Sequence, residues 1–343
     1  MPIVRAHPDT VGTSATLQEN SEAVSHRNLI ALSRSRLAGS SPRRLQPAQL
    51  LFLTKQPRLS NSKKMPQVSV IIPVYNRKEL LKRAVASVCA QAYRNFELIV
   101  VDDASTDGIK HGELPVSSDV PLTWLSRQHH CGVSAARNAG AAASSGAWLS
   151  FLDSDDEWHP KKLARQVAWM IAHPSFRICQ TREIWIRRGK RVNPPATHIK
   201  TAGNLFKQSL QRCMITPSSV LLERSLFTHV GGFNESLPAC EDYDLWLRIC
   251  RTQQIGLVDE YLLTRYGGHC DQLSATIPLL DRFRIRSMLD LLRARQLTPV
   301  QQAAVIKQLQ RKAAIVANGY RKRGRLAESR NYCRLADKAG AID

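Results

Sequence analysis

Val68-Ser69-Val70-Ile71-Ile72-Pro73 runs directly into Val74-Tyr75-Asn76-Arg77, and the chain changes character at that junction. Val68 to Pro73 is β-rich, apolar and flanked by turn residues, which predicts a buried strand. Downstream, Lys78 to Gln91 sets Leu80, Leu81, Ala84, Val85 and Val88 at helical spacing. Phe96 to Val101 predicts a second strand, ending at Asp102-Asp103, and Asp107-Gly108 marks a turn. Leu122 to Leu125 reads as a short third strand, Val133 to Ser144 as an Ala-rich helix, and Ala147 to Leu152 as a fourth strand. This alternation predicts an α/β fold with a doubly wound, mainly parallel sheet flanked by helices. Strands covered on both faces read as continuous Val/Ile/Leu runs, as these do.

In such sheets a ligand sits beyond the carboxyl ends of the strands. Three strand ends carry suitable polar groups: Tyr75-Asn76, Asp102-Asp103 and Asp153-Ser154-Asp155. No G-x-G-x-x-G or G-x-x-x-x-G-K-[ST] loop follows the first strand, which excludes the two common phosphate-binding loops. The richest of the three ends is Phe151-Leu152-Asp153-Ser154-Asp155-Asp156-Glu157-Trp158. Crowded carboxylates repel one another, and a divalent cation relieves that repulsion. Asp153 and Asp155, in D-x-D spacing, offer the hard oxygen ligands that Mg²⁺ or Mn²⁺ takes beside a substrate's phosphates. The plainer reading is a solvated turn that caps the helix after Pro160.

The chain has 343 residues and a formal net charge of +21. Residues 1–64 carry ten Lys and Arg against three Asp and Glu, and residues 281–343 carry fifteen against five. The positive excess therefore sits at the two ends. A basic surface suits an anionic partner, or serves only as a solvated face. The Ser/Arg/Pro-rich residues 1–64 lack periodicity and are expected to be a disordered arm. Residues 65–278 form the expected catalytic unit and 279–343 a basic helical extension, with helices over Asp281–Leu292, Pro299–Arg323 and Arg325–Ala339. Lys307, Arg311, Lys312, Arg321, Lys322, Arg323 and Arg325 would give that extension a cationic surface able to meet an anionic membrane. It lacks interleaved aromatics, so no nucleic-acid partner is expected. The eight cysteines form no close pair and read mostly as small buried hydrophobes in a reducing compartment. There is no run of about eighteen apolar residues, so a cytoplasmic protein, peripheral at the inner face of the plasma membrane, is expected.

Five motifs occur in order: residues 68–77; Ser87-Val88 with Gln91; Phe96 to Asp103 with Ser105 and Asp107; Gly132 to Gly140; and Phe151 to Trp158. Together they resemble the family 2 glycosyltransferases of the GT-A fold, over about 65–160 and more loosely to about 275. The resemblance implies metal-dependent transfer of a sugar, with inversion, from a nucleotide-diphosphate donor, a UDP-sugar by family frequency, to a glycan or lipid-linked acceptor. It implies that Pro73, Val74 and Tyr75 border the nucleoside and that Asp103 accepts from the base. Arg137 would meet a diphosphate oxygen or Asp103. Asp153 would hold the ribose and share in the metal site, and Asp155 would hold the Mn²⁺ or Mg²⁺. His269, between flexible glycines, would complete the metal or diphosphate site. Gly231-Gly232-Phe233-Asn234-Glu235 followed by Glu241-Asp242-Tyr243-Asp244-Leu245-Trp246 resembles the acceptor-side signature, which makes Asp242 the general base and Glu241 the fallback. From the residues alone, both acids also suit the first turn of a helix. Trp246 suits the core better than an acceptor pocket. A nucleotidyltransferase acting on sugar phosphates and a non-catalytic carbohydrate-binding relative are the alternatives.

Overall fold

The computed structural model describes residues 67–268 and 276–339. The expected arm, 1–64, and His269 lie outside the described residues. The first half alternates as the sequence predicts: β1 (Val68–Val74), α1 (Lys78–Cys89), β2 (Phe96–Asp102), β3 (Leu122–Ser126), α2 (Val133–Ala143) and β4 (Trp148–Phe151). Then come β5 (Glu157–Trp158), α3 (Lys162–Ala172), β6 (Ile178–Arg187), β7 (Lys190–Val192), α4 (Phe206–Gln211), β8 (Val220–Glu223), α5 (Arg224–His229), α6 (Glu241–Cys250) and β9 (Gly256–Gly267). Three helices follow, α7 (Asp281–Arg293), α8 (Pro299–Arg321) and α9 (Leu326–Lys338).

One sheet runs β3-β2-β1-β4-β8-β6-β9-β5, with β7 on β6. β1 pairs in parallel with β2 and β4, and β2 with β3. β8 is antiparallel to both neighbours, so β6 and its parallel partner β9 point the same way as β4. The carboxyl ends of β1, β2, β4, β6 and β9 therefore share one edge of the sheet.

Both faces are covered. Along β1, Val68, Val70, Ile72 and Val74 join one core with Leu81, Val85 and Val88 of α1 and Leu163 and Val167 of α3. Ile71, Ile99 and Val101 turn to the opposite core, with Ala136 of α2 and Tyr243, Trp246 and Ile249 of α6. The period-2 alternation of a strand thus divides one apolar run between two cores. Gly140 sets how close α2 approaches: a Cβ there would stand 2.5 Å from Ile71 Cγ2.

Ile285, Met288, Val305, Leu309, Ala313 and Val316 of α7 and α8 belong to the same core as α6. The C-terminal helices therefore brace the helix that carries the acid pair. Lys312, expected on the cationic surface, is instead buried, with Nζ donating to Gln211 O at 3.1 Å and Asp281 Oδ1 at 2.9 Å. The other six cations named for that surface are exposed. The cysteines also depart from expectation: Cys179 and Cys250 are buried, but Cys131 and Cys333 are exposed. Cys131 lies in the loop before α2, and Cys333 on the solvent-facing side of α9.

One core residue carries a pH-dependent prediction. Lys162 is fully buried, with Nζ 3.8 Å from the Trp158 ring centre and 2.7 Å from Gln166 Oε1. Burial pushes its ammonium down to about 7. Between that value and the ordinary 10.5 the unfolded chain binds the extra proton, so this residue makes stability rise with pH from 7 to about 10. Lys162→Met is expected to stabilise the protein at pH 7 by about 1–2 kcal/mol, the cation–π contact offsetting part of the larger burial cost. Urea unfolding at pH 7 and pH 9.5 measures it, and the gap between variant and wild type should narrow at the higher pH.

Candidate active site

The loops after β1 and β2 are clasped together. Asn76 and Ala104 adopt left-handed backbone, with φ of 51° and 65°. Asn76 N donates to Ser105 Oγ at 2.9 Å, Asn76 Oδ1 accepts from Thr106 N at 2.6 Å, and Asp107 Oδ2 accepts from Lys78 N at 2.8 Å. Asp102 Oδ1 accepts from Ser105 N at 2.9 Å, which gives it the turn-capping role. Pro73 and Val74 have buried side chains in the strand, so they can border a ligand only through the backbone position they set. Tyr75, 40% exposed, stacks on His130 with ring centres 3.8 Å apart.

Asp103 is buried and heavily engaged. Its carboxylate accepts from Gly132 N at 2.7 Å and Cys131 N at 3.2 Å, and faces Arg127 Nε at 3.1 Å and His130 Nδ1 at 2.9 Å. A base that donates to Asp103 must share it with this loop.

Beyond β4, carboxylate oxygens of Asp153, Asp155 and Asp156 all lie within 4.8 Å of one another. The three are held differently. Asp156 is buried, with Oδ2 accepting from Ser218 Oγ at 2.7 Å and Oδ1 from Tyr266 N at 3.1 Å. Burial first, then the charges of Asp155 and Asp153, push its carboxyl well above the usual range. Asp155 Oδ2 pairs with Arg77 Nη1 at 2.9 Å, while its carbonyl accepts from Arg83 Nη2 at 2.5 Å. Asp153, the most exposed at 28%, pairs with Arg137 at 2.6 Å. Three hard oxygen donors on one short loop fit Mg²⁺ or Mn²⁺, which take one or two carboxylates and fill the remaining positions with water and phosphate.

Arg137 is the joint of the site. It projects from α2 and is almost wholly buried, with Nη2 on Asp153 Oδ1 at 2.6 Å and Nη1 on Glu241 Oε1 at 2.8 Å. Burial works against its charge, but the two carboxylates outweigh it and hold the guanidinium firmly protonated. The expected partner was Asp103 or a phosphate; the partners found are Asp153 and Glu241. Burial raises the Glu241 carboxyl, helped by neighbouring Asp242 and opposed by Arg137. Its Oε1 is engaged in this bridge.

Helix α6 starts at Glu241 after Cys240, a left-handed residue with φ of 63°. Asp244 pairs with Arg248 at 2.6 Å, whose guanidinium also donates to Gly232 O at 2.8 Å. Asn138 of α2 donates to Phe233 O and accepts from Phe233 N, both at 2.9 Å. Gly232, at φ 66°, leaves room that a Cβ would close to 2.8 Å from Asn138 Oδ1. Thus the Gly231–Glu235 loop, α2 and α6 form one unit. Asp242 is partly exposed, and its Oδ2 accepts from Cys213 Sγ at 3.2 Å. Burial, then Asp242, raises the Cys213 thiol far above its usual range, so it stays a neutral donor. Trp246 is buried in the core beside Phe233, ring centres 6.5 Å apart.

Sequence reasoning missed Arg77, Arg83, His130, Cys213 and Arg265. Arg265, 44% exposed on β9, lies 3.8 Å from Glu183. Its guanidinium is held charged, against the effect of surrounding protein, by Glu183, Asp156, Asp153 and Asp242. Acids from both halves of the chain therefore act on one cation. No periodicity marks these residues: Arg77 and Arg265 sit at strand ends, but Arg83 is mid-helix in α1 and Cys213 follows α4.

The sequence profile described as glycosyl transferase family 2 matches residues 69–231. A UDP-Glc:alpha-D-GlcNAc-diphosphoundecaprenol beta-1,3-glucosyltransferase, WfgD of Escherichia coli, is 31% identical over 198 residues, 56% of this chain and 73% of that protein. An uncharacterized glycosyltransferase of Rickettsia felis is 31% identical over 208 residues, 57% of this chain and 32% of that protein. The chain thus spans about a third of the length of its relatives from Rickettsia felis, Rickettsia conorii and Rickettsia bellii. Among solved structures, S. aureus TarS 1–349 in complex with UDP-GlcNAc superposes with a TM-score of 0.55 at 16% identity, covering 79% of this chain and 92% of that one. The fold is of the glycosyltransferase GT-A type. The chain belongs to glycosyl transferase family 2.

Proposed function

We propose that this chain is an inverting, metal-dependent glycosyltransferase that moves a sugar from a nucleotide-diphosphate donor to an acceptor hydroxyl in polysaccharide or glycolipid assembly. The observation that carries this reading is Arg137, whose single guanidinium ties Asp153 of the D-x-D loop to Glu241 at the start of α6. That bridge ties the loop of the donor-side acids to the first turn of α6, which also carries Asp242. Tyr75 and Asp103 line the nucleoside wall, and residues 65–278 form the reacting unit. A UDP-sugar is the favoured donor, in keeping with the UDP-GlcNAc complex of the superposed TarS structure. A lipid-linked acceptor is favoured by the name of the WfgD relative. Such an acceptor suits a protein that meets an anionic membrane through the exposed cations of α8 and α9. Among the described residues no helix is long and apolar enough to cross a membrane.

The chemistry follows from the residues. The acceptor O–H proton passes to Asp242 as that oxygen attacks the anomeric carbon, and the bond from that carbon to the diphosphate oxygen breaks with inversion. Cys213, a neutral thiol donor, orients the Asp242 carboxylate without neutralising it. Asp155 and Asp153 would hold Mg²⁺ or Mn²⁺, which supplies charge neutralisation to the departing diphosphate.

A thermal-shift screen tests the reading. UDP at about 100 times its Kd, with Mn²⁺, should stabilise the protein by about 2.7 kcal/mol. The rise should vanish with EDTA, and absence of any shift across nucleotides would overturn the reading. Asp155→Asn should abolish the Mn²⁺-dependent part and lower transfer by about 10²-fold. The melting temperature of the free variant should not fall, because removing one of three crowded carboxylates relieves repulsion as it forfeits the Arg77 pair.

A further inference from the structure

A cavity of about 480 Å³ opens at the carboxyl ends of β6 and β9, walled by Trp185, Arg187, Arg188, Arg265 and Tyr266 among others. The reaction as described leaves it unused. The hairpin from β6 to β7 turns on Arg188 and Gly189, with φ of 50° and 74°, and reads Arg187-Arg188-Gly189-Lys190-Arg191. A tight turn thus packs four cations into five residues. Arg187 and Arg265 lie 5.2 and 5.8 Å from the ring centre of Trp185. That indole is fixed by its Nε1, which donates to Glu183 Oε1 at 2.7 Å. Among the described residues neither Arg187 nor Arg188 has a carboxylate partner. Both side chains are exposed, so their guanidinium donors are open to an anion with several oxygens, which can take them in bidentate hydrogen bonds.

Position selects the anion. Along the sheet the order is nucleoside wall at β2 and β1, acid loop at β4, then this cavity at β6 and β9. Tyr266 joins the last two: it lines the cavity, and its backbone N–H donates to Asp156. The cavity therefore lies across the acids from the nucleoside, where an acceptor would enter. We propose that it binds the diphosphate of an acceptor sugar carried on a lipid diphosphate, an inference that rests on the glycosyltransferase reading for its orientation. Arg187 and Arg188 would grip the phosphates, and Trp185 would support the first carbons of the lipid.

The test uses farnesyl diphosphate as probe, with the full chain and with UDP and Mn²⁺ saturating the donor side. Calorimetric titration should show binding to the wild type. Arg187→Gln/Arg188→Asn, which keeps a residue tolerant of left-handed backbone at 188, should weaken it at least tenfold. The affinity for UDP and Mn²⁺ should stay within twofold, and the melting temperature should be unchanged. Undiminished probe binding in the variant, no binding to the wild type, or an equal loss of UDP overturns the proposal. Vesicles containing phosphatidylglycerol separate the sources. If the variant loses vesicle binding but not farnesyl diphosphate, the hairpin reads a headgroup surface and the proposal fails. If the probe binds as predicted but no nucleotide does, the anion site stands and the glycosyltransferase reading fails.

Discussion

Asp242→Asn is expected to lower kcat by about 10³-fold while leaving the KM for the donor within about threefold. A positioned general base contributes roughly 10²–10⁴ to a rate, and the amide cannot take a proton from the acceptor. The geometry explains why this residue and not a neighbour is affected. Of the acids in the first turn of α6, Glu241 is bound to Arg137 and Asp244 to Arg248. Asp242 alone keeps exposure and a soft thiol partner. Steady-state kinetics with a saturating donor measures the effect. Glu241→Gln provides the contrast: it should lower stability, and lower kcat far less than Asp242→Asn. A reversed order would assign the base to Glu241.

Arg137→Met should destabilise the fold by about 3–5 kcal/mol, because it leaves Glu241 buried without its counter-charge. The sign of the pH dependence follows. Glu241 already binds its proton more tightly in the folded state than an ordinary carboxyl, and loss of the guanidinium strengthens that tendency. Folded protein then holds a proton that the unfolded chain releases, so the deficit grows as pH rises from about 4.5 towards 7. Urea unfolding at pH 5 and pH 7 measures it. Adding Glu241→Gln should recover part of the loss at pH 7. A deficit independent of pH would mean that lost packing against Phe233, not charge, is responsible.

Much of this was legible in the sequence, and the physical reason is consistent. β1, β2 and β4 are buried on both faces, so only Ser69, Glu97 and Ser150 break their apolar runs, and their ends announce themselves in Tyr75, Asp102 and Asp153. Helix α6 was legible because Leu245, Trp246 and Ile249 repeat at helical spacing behind two acids. Strands β6 and β9 were not. Ile178–Arg187 mixes Gln180, Arg182 and Glu183 with apolar residues, and β9 changes register against it at Arg182. Glu183 of β6 faces Lys200 and Arg265, partners that local spacing does not reveal. The partner of Arg137 was out of reach for the same reason: spacing gives a residue's place on a helix, not the carboxylate it meets 104 positions later. Lys312 failed as a surface residue because only the packing of α8 reveals which face looks inward.

The interlocked turns after β1 and β2 carry one more consequence. Their backbone is already pinned by Asn76, Ser105 and Asp107 before any nucleotide arrives. Conformational freedom at this wall is surrendered during folding, so recognition of the base need not bear that entropy a second time. On the proposed nucleoside wall, a poorly shaped nucleoside would meet a surface that does not mould to it, and discrimination would fall on how fast such a ligand departs.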